Sequence, residues 1–361
     1  MENSLIIRRK KTKKIYLGGV CIGGGVPVVV QSMANTDTRD VKATVAQIKD
    51  LQKAGCEIVR VALPDEKAAA SILDIKKKID IPLIADIHFN DQLALAAMKY
   101  GADGIRINPG NIARDKIKKI IQVAKKRRTV IRIGINSGSL QKEMLLKYGG
   151  PTAEALVESA LQNIALFENE GFDLLKLSLK SSDVPNMIKA YRTISAKTNN
   201  PLHLGVTEAG SLMSAAIKSS LGIGMLLYEG IGDTIRVSVT GNPVLEMPVA
   251  YGILRALKIR KVGPEIISCP TCGRCEIDVP GLTKKIEQAL AGRKEYIKVA
   301  LMGCVVNGPG EAADADVGIA GGRRQGILFK KGKALKKVKE IDFVKVLLEE
   351  IECMIEERTL D

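Results

Sequence analysis

The chain has 361 residues, enough for one large domain and one small one, and its 46% hydrophobic and 26% charged residues describe a globular protein with a sizeable core. A net charge of +15 suits acidic partners, but no Trp and only 3% aromatic residues leave no stacking platform for single-stranded nucleic acid, so none is expected as a partner. No stretch reaches the roughly 20 apolar residues of a membrane helix, and the basic run Arg8, Arg9, Lys10, Lys11, Lys13 and Lys14 meets Gly18 and Gly19 instead of an apolar signal core; a cytoplasmic protein with no membrane partner is the expectation.

Eight short apolar, β-branched runs follow in order: Val28–Met33, Glu57–Leu63, Leu83–Ile87, Gly104–Ile107, Val130–Ile135, Leu174–Leu179, Leu202–Val206 and Thr234–Val239. Between them lie segments of helical period, among them Arg39–Ala54, Asp65–Lys78, Arg114–Lys126, Ala153–Glu170, Asp183–Thr198 and Ser211–Tyr228. Strand and helix alternating eight times predict an α/β fold, a (β/α)8 TIM barrel over residues 1–262. A doubly wound sheet would need its glycine-rich phosphate loop after a strand, whereas Gly23-Gly24-Gly25 precedes the first one. Past Val262-Gly263-Pro264 the pattern changes. A helix near Leu282–Ala291, a strand at Ile297–Met302, a hairpin at Gly326–Val338 and a closing helix at Asp342–Glu356 predict a smaller α/β domain over 263–361.

Barrel active sites sit at the C-terminal strand ends, where residues two apart share a face. That rule gathers Arg60, then Asp86 and His88, Arg106 and Asn108, Arg132 and Asn136, Ser178 and Lys180, Glu208, and Arg236 and Ser238. Five cations facing two carboxylates call for an anion, and the guanidinium fork suits phosphate oxygens. Ion pairing with Asp86, Glu208 or a helix-end carboxylate is the plainer role for any one of these arginines. Asp86 and His88 could together reach a metal, but hydrogen bonding to substrate is the favoured role. His203 reads as a packed or surface histidine. Glu208, ending the run Val206-Thr207-Glu208-Ala209-Gly210, suits a general acid or base.

Of seven cysteines, Cys269, Cys272, Cys275 and Cys304 are clustered, while Cys21, Cys56 and Cys353 are scattered. Cys269-Pro270-Thr271-Cys272 with a distant Cys304 fits a zinc site, a redox dithiol or an iron–sulfur cluster, and spacing alone does not separate them. By spacing, Cys275 would be the fourth ligand. A zinc-stapled barrel transferase or aldolase for phosphorylated small molecules, and a basic interaction protein, are the competing functions.

Several stretches settle the preference when taken together and in order. They are Val30-Gln31-Ser32-Met33-Ala34-Asn35-Thr36-Asp37-Thr38, Gly104-Ile105-Arg106-Ile107-Asn108-Pro109-Gly110, Leu204-Gly205-Val206-Thr207-Glu208-Ala209-Gly210, Cys269-Pro270-Thr271-Cys272-Gly273-Arg274 and Met302-Gly303-Cys304-Val305-Val306-Asn307-Gly308-Pro309-Gly310-Glu311. From about Val28 to Gly322 the chain resembles the 4-hydroxy-3-methylbut-2-enyl diphosphate synthases of the methylerythritol phosphate route to isoprenoids, in their short bacterial form. The resemblance implies a [4Fe–4S] cluster on Cys269, Cys272, Cys304 and Glu311, with Cys275 a bystander. It implies reductive opening of 2-C-methyl-D-erythritol 2,4-cyclodiphosphate with electrons from ferredoxin or flavodoxin, and a homodimer with active sites shared between subunits. On this reading Arg60, Arg106, Arg132, Lys180 and Arg236 hold diphosphate oxygens, with Asn108, Asn136 and Ser238 assisting. The lysines Lys330, Lys331, Lys333, Lys336, Lys337 and Lys339 form either a solvated hairpin face or a dock for an acidic electron carrier.

Overall fold

The computed structural model describes residues 7–87, 90–304 and 312–360. Two compact units divide at Arg260 and Lys261.

The first unit begins with a hairpin, β1 (Ile15–Leu17) against β2 (Val20–Ile22). Eight parallel strands follow: β3 (Val29–Met33), β4 (Ile58–Ala62), β5 (Leu83–Asp86), β6 (Gly104–Ile107), β7 (Val130–Asn136), β8 (Leu175–Lys180), β9 (His203–Leu204) and β10 (Thr234–Ile235). The helices between them are α1 (Val41–Lys53), α2 (Glu66–Lys76), α3 (Asp91–Lys99), α4 (Arg114–Arg127), α5 (Lys142–Tyr148), α6 (Ala153–Asn169), α7 (Val184–Lys197), α8 (Leu212–Tyr228) and α9 (Glu246–Ala256). Their starts are fixed locally: Asp40, Asp65, Thr152 and Asp183 each accept a backbone N–H of the first turn, satisfying donors that a helix leaves free. Strands are adjacent in chain order from β3 to β8, and β10 lies between β3 and β9. A bridge between Leu177 and Leu202, with Leu177 N–H donating to Pro201 O at 2.9 Å, brings β8 to β9 and nearly closes the barrel.

Alternation along each strand sorts the side chains. Val59, Val61, Ile105, Ile131, Ile133, Leu175, Leu177 and Leu179 are fully buried on the outer face, where the helices cover them. Inside, the N-terminal end is apolar. Val29, Ile58, Ile84 and Val130 pack on Ile15, Leu17 and Ile22, so the hairpin plugs the floor of the barrel. Above that floor the interior turns polar. Ladder partners continue one another from Ala62 through Asp86, Arg106 and Arg132 to Lys176, and partners in register share a face. Arg260 ends the unit, donating to Val28 O at 2.9 Å and to Glu57 Oε2 at 2.7 Å.

The second unit carries a five-stranded sheet in the order β11 (Glu265–Ser268), β12 (Lys298–Met302), β13 (Val317–Gly322), β14 (Gln325–Lys330), β15 (Lys333–Lys339). β11, β12 and β13 pair parallel, and β13, β14 and β15 antiparallel. Helices α10 (Val279–Ala289) and α11 (Phe343–Leu360) form the core of one face through Leu282, Ile286, Leu347 and Ile351 against Val299, Leu301, Ile319 and Leu328. On the opposite face Ala300, Met302, Ala320 and Phe329 pack with Ala312 and Ala315, and Cys269 rests against them.

Two expected strands are shorter than their apolar runs. β9 stops at Leu204 and β10 at Ile235, where the two strands leave the regular ladder, although Arg236 N–H still reaches Leu204 O at 3.0 Å. No helix among the described residues is long and apolar enough to cross a membrane.

Candidate active site

The basic N-terminal run is structural. Arg9 Nη2 donates to Gly232 O at 2.8 Å and Lys10 Nζ to Thr198 O at 2.7 Å, beneath the barrel. The cations of the strand ends are different. Arg60, Arg106, Arg132, Lys180 and Arg236 project into the interior, and Lys176, two inward-facing positions below Lys180, adds a sixth.

Asp86 answers two of them, with Oδ1 3.4 Å from Arg106 Nη1 and Oδ2 3.8 Å from Arg60 Nε. Arg60 also donates to Met33 Sδ, at 2.9 Å from Nη2. Arg106 Nη2 donates to Gly134 O at 3.2 Å and, in the amide orientation that satisfies both ends, to the side-chain oxygen of Asn136 at 3.2 Å. Asn108 Nδ2 donates to Ser139 O at 3.0 Å, so one of its hydrogens is committed to the loop after β7. Glu208 is not what Arg236 pairs with. Its partner is Glu246, the first residue of α9, fully buried, with Oε1 3.0 Å from Arg236 Nη2; the Ser32 hydroxyl donates to Oε2 at 2.7 Å.

Inside this wall the remaining cations are poorly compensated. Nε and Nη1 of Arg132 and Nζ of Lys176 are buried without a hydrogen-bond acceptor. Burial, reinforced by neighbouring cations, holds Arg132, Lys176 and Lys180 well below their ordinary pKa values. Burial also pushes Arg60 down to about 10, against the pull of Asp86. His203 is fully buried, its Nδ1 2.8 Å from Thr234 Oγ1, and burial beside Lys180 and Arg132 keeps it neutral. Six cations face Asp86 and Glu246, with Asp233 answering Lys176 from below, and the excess of positive charge is one that an anion would relieve.

Two glycines make room for the cations. A Cβ at Gly134 would stand 2.3 Å from Arg106 Nε, and one at Gly205 would stand 2.6 Å from both Lys180 Nζ and Arg236 O. Glu208 lies past the end of β9, exposed, with φ of +53°, a conformation unusual for a residue with a side chain. Ser238 is half-buried beyond β10. His88 lies outside the described residues, as does Glu311.

In the second unit Cys269 follows β11 directly and Cys304 lies two residues past β12. Gly303 between them is the crux. Its N–H donates to Cys269 Sγ at 3.1 Å, and a Cβ there would stand 2.4 Å from Cys275 Sγ and 3.1 Å from Cys269 Sγ. Cys275 N–H donates to Cys272 O at 2.9 Å, folding the C-x-x-C-x-x-C loop over the same spot. Cys272 is exposed and Cys304 half-buried. Among the described residues no three such side chains already stand close enough to hold a metal ion. Even so, soft donors on two loops, a glycine cradle and an amide aimed at sulfur suit a thiolate-held iron–sulfur group in kind.

Met33, Gly205 and Gly303 stand in the quoted stretches without an assigned role, and Lys176, Glu246 and Gly134 stand outside the expected site altogether. Lys176 was accessible, since Lys176, Ser178 and Lys180 continue the same alternation. Glu246 was not, because a carboxylate opening a helix also reads as a dipole partner.

Residues 12–251 match the GcpE TIM-barrel domain and residues 265–353 the GcpE protein C-terminal domain. The chain is 58% identical over 347 residues to the 4-hydroxy-3-methylbut-2-en-1-yl diphosphate synthase (flavodoxin) of Thermodesulfovibrio yellowstonii, covering 96% of this chain and 99% of that one. It is also 58% identical over 354 residues to the protein of that name from Caldanaerobacter subterraneus, covering 98% and 100%. Among solved structures, the dihydropteroate synthase of Stenotrophomonas maltophilia shares the barrel fold at a TM-score of 0.50 and 14% identity, over 68% of this chain and 98% of that one.

Proposed function

The chain belongs to the GcpE family, that of the 4-hydroxy-3-methylbut-2-en-1-yl diphosphate synthases, and from that premise we propose how its residues divide the work. The enzyme is an oxidoreductase. It opens the ring of 2-C-methyl-D-erythritol 2,4-cyclodiphosphate reductively and leaves (E)-4-hydroxy-3-methylbut-2-enyl diphosphate. In neutral formulae, two electrons and two protons enter, the C–O bond to the ring phosphate breaks, and a hydroxyl departs as water.

The observation that carries the residue assignment is the wall of six interior cations with two carboxylates. Arg60, Arg106, Arg132, Lys180 and Arg236 bind the diphosphate oxygens, with Asn108, Asn136 and Ser238 adding neutral hydrogen bonds. Asp86, at 3.4 Å from Arg106, orients that guanidinium, with His88 beside it in the sequence, and Glu246 does the same for Arg236. Diphosphate fixed this deep leaves the carbon skeleton toward the mouth, where Glu208 holds the proton delivered to the departing oxygen. When bound, a [4Fe–4S] cluster on Cys269, Cys272, Cys304 and Glu311 supplies electrons one at a time and a Lewis-acidic iron. The electron donor is a flavodoxin, the carrier printed in the relatives' names. The setting is the cytoplasm.

The working form is a homodimer whose cluster units cap partner barrels. An apolar stripe on α8 supports it: Met213, Ile217, Leu221 and Tyr228 recur at helical spacing, each more than half exposed.

Anaerobically purified protein is the test. Cys269→Ser, Cys272→Ser and Cys304→Ser should each lose iron and sulfide, and Glu311→Ala should keep iron but turn over little. Cluster loss in Cys275→Ser with a harmless Glu311→Ala would reverse the ligand assignment.

A further inference from the structure

The second unit has a cavity of about 590 Å³ on its outer surface, between the start of α10, the end of β15 and the start of α11. Its floor is apolar, with Ile277, Leu282 and Val344, and Ile341 stands on its rim 89% exposed. Lys285, Arg324 and Lys339 surround that floor. Two carboxylates also line it, Glu340 and Asp278, the latter turned to the start of α10 where it accepts Gly281 N–H at 2.9 Å, so the lining carries three cations against two carboxylates.

Lysine alone on β15 has a simple explanation. It is the edge strand of the sheet, and edge lysines prevent pairing with another chain. That explains Lys333, Lys336 and Lys337, but neither a bare isoleucine nor cations from α10 and from the β13–β14 turn collected around an apolar floor. Lys330 is not part of the array, being paired with Glu350 at 2.9 Å and Glu357 at 3.3 Å.

The floor of the cavity leads inward to the cysteines. Ile277 lines it, and the Ile277 carbonyl accepts the Cys275 thiol at 3.2 Å; Cys275 in turn crowds Cys269 at Gly303. A partner seated in the cavity would therefore touch Ile277, whose carbonyl holds the Cys275 thiol. Small apolar patches ringed by charge are what brief electron-transfer complexes use, since they need orientation and fast release more than area.

We propose that this cavity is the docking surface for the acidic, flavin-bearing electron carrier, whose acidic rim meets Lys285, Arg324 and Lys339 while an apolar contact seats on Ile341. Each encounter oxidises the reduced flavin by one electron and reduces the centre held at the cysteine loops by one. Two encounters complete a turnover. The proposal rests on the reductive reaction assigned above.

The experiment uses full-length holoenzyme with reduced flavodoxin, and separately with reduced methyl viologen. Ile341→Ser and the pair Lys285→Glu/Arg324→Glu should each raise the KM for flavodoxin about tenfold, and the charge-reversed pair alone should also flatten its salt dependence. Turnover with methyl viologen and iron content should stay at the wild-type level. Lys333→Glu, at the far end of β15, should change neither. Ile341 is so exposed that its substitution leaves folding intact, which protects the test from a trivial failure. Unchanged flavodoxin KM in both variants overturns the proposal, and so does an equal loss with both reductants. Wild-type enzyme that binds flavodoxin through this cavity yet turns over nothing with methyl viologen would instead overturn the reaction.

Discussion

Lys176 is fully buried with no acceptor at Nζ, and Asp233 is the carboxylate that draws its pKa back up against burial. Leaving a polar group buried and unpaired costs about 1–3 kcal/mol, more when it is charged. Lys176→Met, close in length and apolar, should therefore raise the urea midpoint, while weakening binding of the cyclic diphosphate through loss of field. Gly205→Ala and Gly134→Ala should work the other way. Each puts a methyl into a cation's place at a cost of about 1–3 kcal/mol, and each should raise the KM for substrate, Gly205→Ala through Lys180 and Gly134→Ala through Arg106. Proton linkage gives a further check. Arg60 falls to about 10, and Arg132 and Lys180 are also depressed, so the empty site sheds protons at lower pH than exposed groups would. Substrate affinity should thus fall as pH rises through about 10. A bound diphosphate pulls these pKa values back up, so binding near that pH should take up protons, read by calorimetry in buffers of different ionisation enthalpy. For stability the sign is opposite. Between about 10 and the ordinary arginine value the unfolded chain holds the extra proton, so the burial cost of Arg60 is full below that window and relieved above it.

The hairpin β1–β2 and the strand ends divide the barrel between stability and chemistry. Leu17, buried on the floor with Ile58 and Ile84, should cost about 2–5 kcal/mol as Leu17→Ala with no change in substrate KM, since the anion site is at the other end of the strands. A matching rise in KM would show that the floor positions the cations. Strands β3 to β8 were legible as apolar, β-branched runs between helical segments, and from β5 to β8 polar residues spaced along one face near the strand ends also name the inward face. β9 and β10 read too long, since apolar residues continue past the ladder as buried loop: Val206 and Val237 are fully buried without strand geometry. Three-residue strands such as Ile15–Leu17 hold too little period to be read, and β13, Val-Gly-Ile-Ala-Gly-Gly, resembles a turn by composition. The interior cations were legible one at a time. Part of their counter-charge was legible too, since Asp86 pairs with Arg60 and Arg106, but Glu246 was not, because it reaches Arg236 only through the return of α9, ten residues on.

At the scale of the molecule, the α8 stripe is where the proposed dimer can be broken. Ile217→Glu with Leu221→Glu should shift sedimentation from dimer to monomer without unfolding, both side chains being exposed. Mixing Glu208→Gln with Cys304→Ser subunits should then restore activity in the parent background and fail in the charged one. Recovery in neither, with mixed dimers demonstrated, would mean that each chain caps itself. The order of strands also sets a timetable. β3 pairs on one side with β4, its neighbour in sequence, but on the other with β10, Val29 against Thr234. On a ribosome adding about 5–20 residues per second, Val29 waits roughly ten seconds or more for that partner to be made. During this interval the first half of the barrel is an open sheet, one long edge unpaired and the interior cations in water. The nascent chain is thus an early client for chaperones, and its solubility before closure depends on the charges that later line the barrel interior.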